Sequence, residues 1–194
     1  MSNSGVFNID DINFLRDNQQ YPSLGQLELI ETQKASSVVA LDFTDIKEDI
    51  YNVHLLTTSG IKHASTSTTR LQFFESGVLE TGNVYHYGFI QGQSNGSFYD
   101  TLRDNNFSSI YVTYSNNGTN TGDVESCYMY LYNLGNSAKY SMVTMLSIFQ
   151  DDGVFKLQYG SGLLPQKSVV DGIRLNFQSA STNGFASLYG IRFT

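Results

Sequence analysis

After residue 25 the chain alternates apolar and polar residues almost without interruption, and a two-residue period sends successive side chains to opposite faces of a β-strand. Short, aromatic and β-branched runs predict strands over Gln26 to Lys34, Ser37 to Phe43, Ile50 to Thr57, Arg70 to Glu75, Asn83 to Gln91, Ser108 to Tyr114, Val124 to Asn133, Tyr140 to Phe149, Val154 to Tyr159, Val169 to Gln178 and Phe185 to Phe193. In one of them Ile173, Leu175 and Phe177 point to a core while Arg174, Asn176 and Gln178 point to water; Val39, Leu41 and Phe43 are set against Asp42 in the same way. Turn-forming clusters separate the runs, among them Ser94-Asn95-Gly96, the stretch 115–123, Asp151-Asp152-Gly153 and Ser181-Thr182-Asn183-Gly184. These connections are short, and no helical period of ten residues lies between the strands to carry a parallel crossover. The pattern predicts an all-β fold over residues 26–194, an antiparallel two-sheet sandwich of jelly-roll type.

Residues 1–25 follow a different rule. Asn8 can cap a helix, Asp10 and Asp11 suit its positive end, and Ile9, Ile12 and Leu15 recur at helical spacing. One or two turns of helix do not stand alone in water, so this segment is expected to be a docking arm, with Val6 and Phe7 adding to its apolar contact.

Composition narrows the functional classes. The net charge is −7, charged residues make up 15% of the chain, and 13 Tyr and 13 Phe supply the rings without a Trp. No Lys or Arg run could track a phosphate backbone, so nucleic acid is not an expected partner. No apolar stretch reaches the roughly 18 residues of a membrane span, and MSNSGVFNIDD lacks the basic and apolar regions of a secretory signal. Synthesis is expected to end in the cytosol. The single cysteine, Cys127, lies in an alternating apolar run and reads as a buried thiol.

Motifs for chemistry are weak. Gly92-Gln93-Ser94-Asn95-Gly96 fits the nucleophile elbow of esterases, but His54, His63 and His86 all precede Ser94 and no helix-forming run follows Gly96. His54 and His63 stand nine residues apart without a zinc motif, and Asp151-Asp152-Gly153 is not a calcium loop. Gly160-Ser161-Gly162 lacks the third glycine and the helix of a phosphate cradle. No catalytic residue, metal or cofactor is expected. Tyrosine is the informative excess: Tyr128, Tyr130 and Tyr132 share one strand face opposite Cys127, Met129 and Leu131. Tyr85, His86 and Tyr87, with the loop from Ser94 to Tyr99 and the turn after Tyr114, form a candidate patch for a subunit interface or a glycan.

The ending VVDGIRLNFQSASTNGFASLYGIRFT, the segment GQLELIETQKASSVVALDFTDIKEDIYNVHLL and the central YLYNLGNSAKY resemble small β-sandwich proteins of tailed bacteriophages, notably marine ones. The resemblance touches the chain from Gly25 onward and implies a virion structural component, either a tail-fibre or receptor-binding domain or a capsid decoration protein. It carries over no catalytic residue. The expected protein is therefore non-enzymatic, made in a bacterial host's cytoplasm and placed in the virion. Its expected partners are other copies of itself in a homotrimer, other tail or capsid proteins reached through Val6, Phe7, Ile9, Ile12 and Leu15, and a host surface glycan at Tyr85, His86, Tyr87, Tyr99 and Tyr114.

Overall fold

The computed structural model describes Phe14 and residues 27–114 and 117–192. The expected helical arm, including Val6, Phe7, Ile9, Ile12 and Leu15, lies outside the described residues. The described chain forms twelve strands: β1 (Leu27–Lys34), β2 (Val38–Phe43), β3 (Val53–His63), β4 (Arg70–Glu75), β5 (Val78–Leu79), β6 (Tyr85–Gln93), β7 (Phe98–Phe107), β8 (Ile110–Tyr111), β9 (Glu125–Tyr132), β10 (Ser141–Asp151), β11 (Val154–Leu164) and β12 (Val170–Ile191).

The fold is all-β, with two antiparallel sheets that share β12 and do not close into a barrel. The first part of β12 pairs with β2 and β4, and β4 also carries β5 and β8. The second part pairs with β1 and β3, and the larger sheet continues through β9, β10, β11, β6 and β7. Sequence reading places two strands and a turn where the structure has one bent 22-residue strand. Register shifts at Ser181/Asn183 and Asn183/Phe185, a left-handed Gln178 (φ 59°) and Gly184 (φ 122°) let the strand turn the corner between sheets.

The inner faces form one core. Leu41, Phe43, Leu71, Phe73, Ile173, Leu175 and Phe177 from the smaller sheet meet Leu56, Met129, Leu131, Val143, Met145 and Leu188 from the larger, all buried. Each such side chain contributes about 1.5–3 kcal/mol on leaving water. Val39 shares the face of Leu41 and Phe43, but at the end of its short strand it is 63% exposed and stands outside this core.

Local chemistry sets the hairpins. Asp152 (φ 51°) and Gly153 (φ 82°) join β10 to β11 with Asp151 opposite Val154, the two-residue turn whose twist matches that of its strands. Ser76 and Gly77 do the same between β4 and β5, a hairpin the apolar pattern is too short to announce. Alternation does not announce strand β7 either. Its Asp100, Arg103 and Asp104 break the apolar alternation, as suits a strand at the edge of the sheet, where charge deters pairing with another chain.

Candidate functional site

Strand alternation decides the fate of the Tyr85–His86–Tyr87 patch. On β6, Tyr85 and Tyr87 turn inward and are 0% and 8% exposed, while His86 turns outward. The Tyr85 hydroxyl accepts from Phe73 N–H at 2.9 Å and donates to Glu80 C=O at 3.2 Å, and burial raises its pKa. Tyr87 packs edge-on against Phe107 and Tyr111, with centroids 5.8 and 5.5 Å apart. These two tyrosines belong to the core and cannot share a surface patch with His86. Tyr99 and Tyr114 are exposed and line one hollow of about 390 Å³ with Gln91, Gln93 and Leu102. Tyr114 also leans on Tyr111, 5.0 Å between centroids.

Ser94 sits in the turn between β6 and β7, followed by a strand and not by a helix. Its N–H donates to Phe155 C=O at 2.9 Å and its hydroxyl accepts from Phe155 N–H at 3.0 Å. The hydroxyl ties that turn to the start of β11. His54 Nε2 donates to Ile46 C=O at 2.7 Å deep in the core, and His63 sits in a buried cluster with Thr69 and Glu125. Cys127 is buried, receives a hydrogen bond from Thr58 Oγ1 at 3.2 Å, and burial pushes its pKa up to about 12. Among the described residues no group of three His, Cys, Asp or Glu is placed to hold a metal ion, and no helix is long and apolar enough to cross a membrane.

Burial holds the imidazole of His54 below its ordinary pKa of 6.5. Because the unfolded chain then binds more protons than the folded one, His54's contribution is whole above pH 6.5 and is lost as pH falls through the window beneath it. Urea denaturation of the wild type should show stability dropping across that window, and His54→Gln should flatten the drop. An unchanged pH slope in the variant would contradict this role.

The structure brings together a surface that sequence reading caught only in its tyrosines. The outward residues of β3, β9, β10, β11 and β6 line up across the strands in four rows. The first row runs Val53, Tyr132, Met142, Leu163, His86; the second runs Leu55, Tyr130, Thr144, Ser161, Gly88. The third runs Thr57, Tyr128, Leu146, Tyr159, Ile90, and the fourth runs Ser126, Ile148, Leu157, Gly92. None of these positions is Asp, Glu, Lys or Arg, although the chain carries a net −7.

No family model matches the chain, and no curated protein matches it.

The relief of this face follows from side-chain size. Thr144, Ser161 and Gly88 make the second row a furrow over β10, β11 and β6, and a depression of about 510 Å³ lies over it, bordered by His86, Leu163, Met142 and Tyr132. A further hollow of about 240 Å³ continues from Gly88 past Tyr159 toward Arg103. Leu146, Tyr159 and Ile90 make the third row a ridge. The glycine in the furrow is not demanded by packing, since a Cβ on Gly88 would meet nothing within 4 Å and its φ is not left-handed. Across the strand pair Gly160 differs, because a Cβ there would lie 2.2 Å from Gly88 C=O. A readable signal did exist: β10 and β11 carry Met142, Leu146, Ile148, Leu157 and Tyr159 on the face opposite the core. A strand apolar on both faces is one that is covered on both faces.

Proposed function

We propose that this protein is a non-enzymatic structural component of a tailed-bacteriophage virion, a self-associating β-sandwich of the tail-fibre or host-recognition kind. The observation that carries this reading is the outer face presented by β3, β9, β10, β11 and β6, which is broad, apolar and ring-bearing, its four rows carrying no formal charge up to Arg103 beside Gly88 on the edge strand β7. Tyr128, Met142, Ile148, Leu157 and Tyr159 are each between 37% and 51% exposed on it. With side chains of roughly 150–250 Å² these five alone leave about 400–500 Å² of side-chain surface in water, at the size where exposed patches on soluble proteins mark an interaction site. Proteins that build particles bury such faces against neighbours. The resemblance of the chain from Gly25 onward to small phage β-sandwich proteins supports the same reading, and under it the two sheets form a jelly-roll-type sandwich joined to the particle by the helical arm of residues 1–25. The hydroxyl of Ser94 engaged by a backbone N–H favours a turn-forming role for the G-x-S-x-G stretch.

The test is where the protein goes. Mass spectrometry of purified particles from an infected host should find the protein, and immunogold labelling should place it on the tail. Label on the head would assign it to capsid decoration instead, and absence from intact particles would refute a virion role.

A further inference from the structure

We propose that the outer face of the larger sheet packs against the same face of a second copy of this chain, with the ridge of each copy seated in the furrow of the other. The proposal rests on reading this face as a packing surface and names its occupant.

Three observations point to a second copy. The first is charge. Two chains of net −7 repel, and the rows over β3, β9, β10, β11 and β6, which carry no Asp, Glu, Lys or Arg and end at Arg103 on the edge strand β7, are where they can approach without burying unpaired charge. The second is area. The five most exposed side chains, together with half-buried neighbours such as Tyr130, Tyr132 and Leu163, bring the face toward the roughly 800 Å² per partner of a standard stable interface.

The third is relief, and it fixes the geometry. A two-fold axis lying in the interface, parallel to the rows and midway between the second and third, sets the furrow of one copy under the ridge of the other, strand over strand. In β6 this places Gly88 opposite Ile90, in β11 Ser161 opposite Tyr159, and in β10 Thr144 opposite Leu146, a small residue facing a large one in these three columns, while Leu55 meets Thr57 in β3 and Tyr130 meets Tyr128 ring to ring in β9. The outer rows meet under the same operation. Met142 faces Ile148 and Leu163 faces Leu157, apolar on apolar, while His86 faces Gly92. The strands of the two sheets then run aligned, the common way for sheets to pack face to face at about 10 Å. An open position filled by glycine in a mid-sheet strand has a purpose here, because it leaves room for the approach of another chain.

The two-fold pairing makes a swap experiment decisive. Purified full-length protein should sediment as a dimer in analytical ultracentrifugation at micromolar concentration. Gly88→Ile sets Ile against Ile, and Ile90→Gly sets glycine against glycine; each should raise the dimer dissociation constant at least about tenfold, a loss of roughly 1.4 kcal/mol. The double variant restores a small residue opposite a large one, and should recover most of the affinity. Should a β6 variant fail to melt cooperatively, Ser161→Tyr and Tyr159→Ser make the same swap in the adjacent column. A wild-type monomer would overturn the proposal, including a monomer that captures a neutral oligosaccharide on this face. So would a trimer, or a double variant as weak as the sum of its parents. Because the measurement needs only purified protein, it stands or falls independently of where the protein sits on a particle.

Discussion

Replacing Glu125 by alanine should cost about 3–5 kcal/mol of folding stability, the range for removing one member of a buried charged network. Glu125 is 1% exposed at the start of β9, and its carboxylate accepts hydrogen bonds from three residues with His63 close beside it. Thr69 Oγ1 donates to one oxygen at 2.5 Å. Thr113 Oγ1 donates to the other at 3.3 Å, Asn117 Nδ2 donates to the same oxygen, and His63 Nε2 stands 3.5 Å from it. Thr69 in turn accepts from His63 at 3.2 Å, and Thr113 accepts from Thr69 N–H at 2.9 Å. Alanine removes the acceptor that these buried groups share. Glutamine keeps the volume but turns an NH₂ toward groups that themselves donate, so Glu125→Gln should fall between wild type and alanine. Urea denaturation measures both, and a loss below about 1 kcal/mol for alanine would mean that the cluster is not the strut described here.

Two glycines that lie side by side in the sheet should respond in opposite directions to the same methyl group. Gly160→Ala places a Cβ 2.2 Å from Gly88 C=O and 2.8 Å from Phe89 Cα, both backbone atoms that move only if β11 and β6 part. The expected cost is about 3 kcal/mol, the upper end for forcing an extra carbon into a packed interior. Gly88→Ala meets open space at an ordinary backbone angle, and removing glycine from a strand interior should raise stability by roughly 0.5–1 kcal/mol. Thermal melting of the two variants checks the pair. Equal effects would mean that the furrow has no room to spare.

Sequence alone made much of the framework legible, because alternation is a local property. Cys127, Met129 and Leu131 are buried and Tyr128 is exposed, as their spacing requires. Ile173, Leu175 and Phe177 are buried in the same way. Alternation does not say which of two apolar faces is the core. Tyr85 and Tyr87 look like surface rings around a histidine until β6 is laid beside β11 and they are found inside. The outer face is hidden in the sequence for the same reason: its rows exist only after five strands from distant parts of the chain are set in register. The Glu125 cluster is still less visible, since Thr69 lies 56 residues from its acceptor and no local pattern links them.

The shared strand has a consequence for the order of events in the cell. Strand β12 hydrogen-bonds to β1, β2, β3 and β4, all of which precede it in the chain. Neither sheet can be completed until the ribosome has released the polypeptide through Ile191. The earlier strands must therefore wait, their apolar faces open, for several seconds of synthesis at typical elongation rates of roughly 5–20 residues per second. Nascent chains stalled upstream of Val170 would be protease-sensitive and dependent on holding chaperones, so that quality control acts on this protein in a single late step.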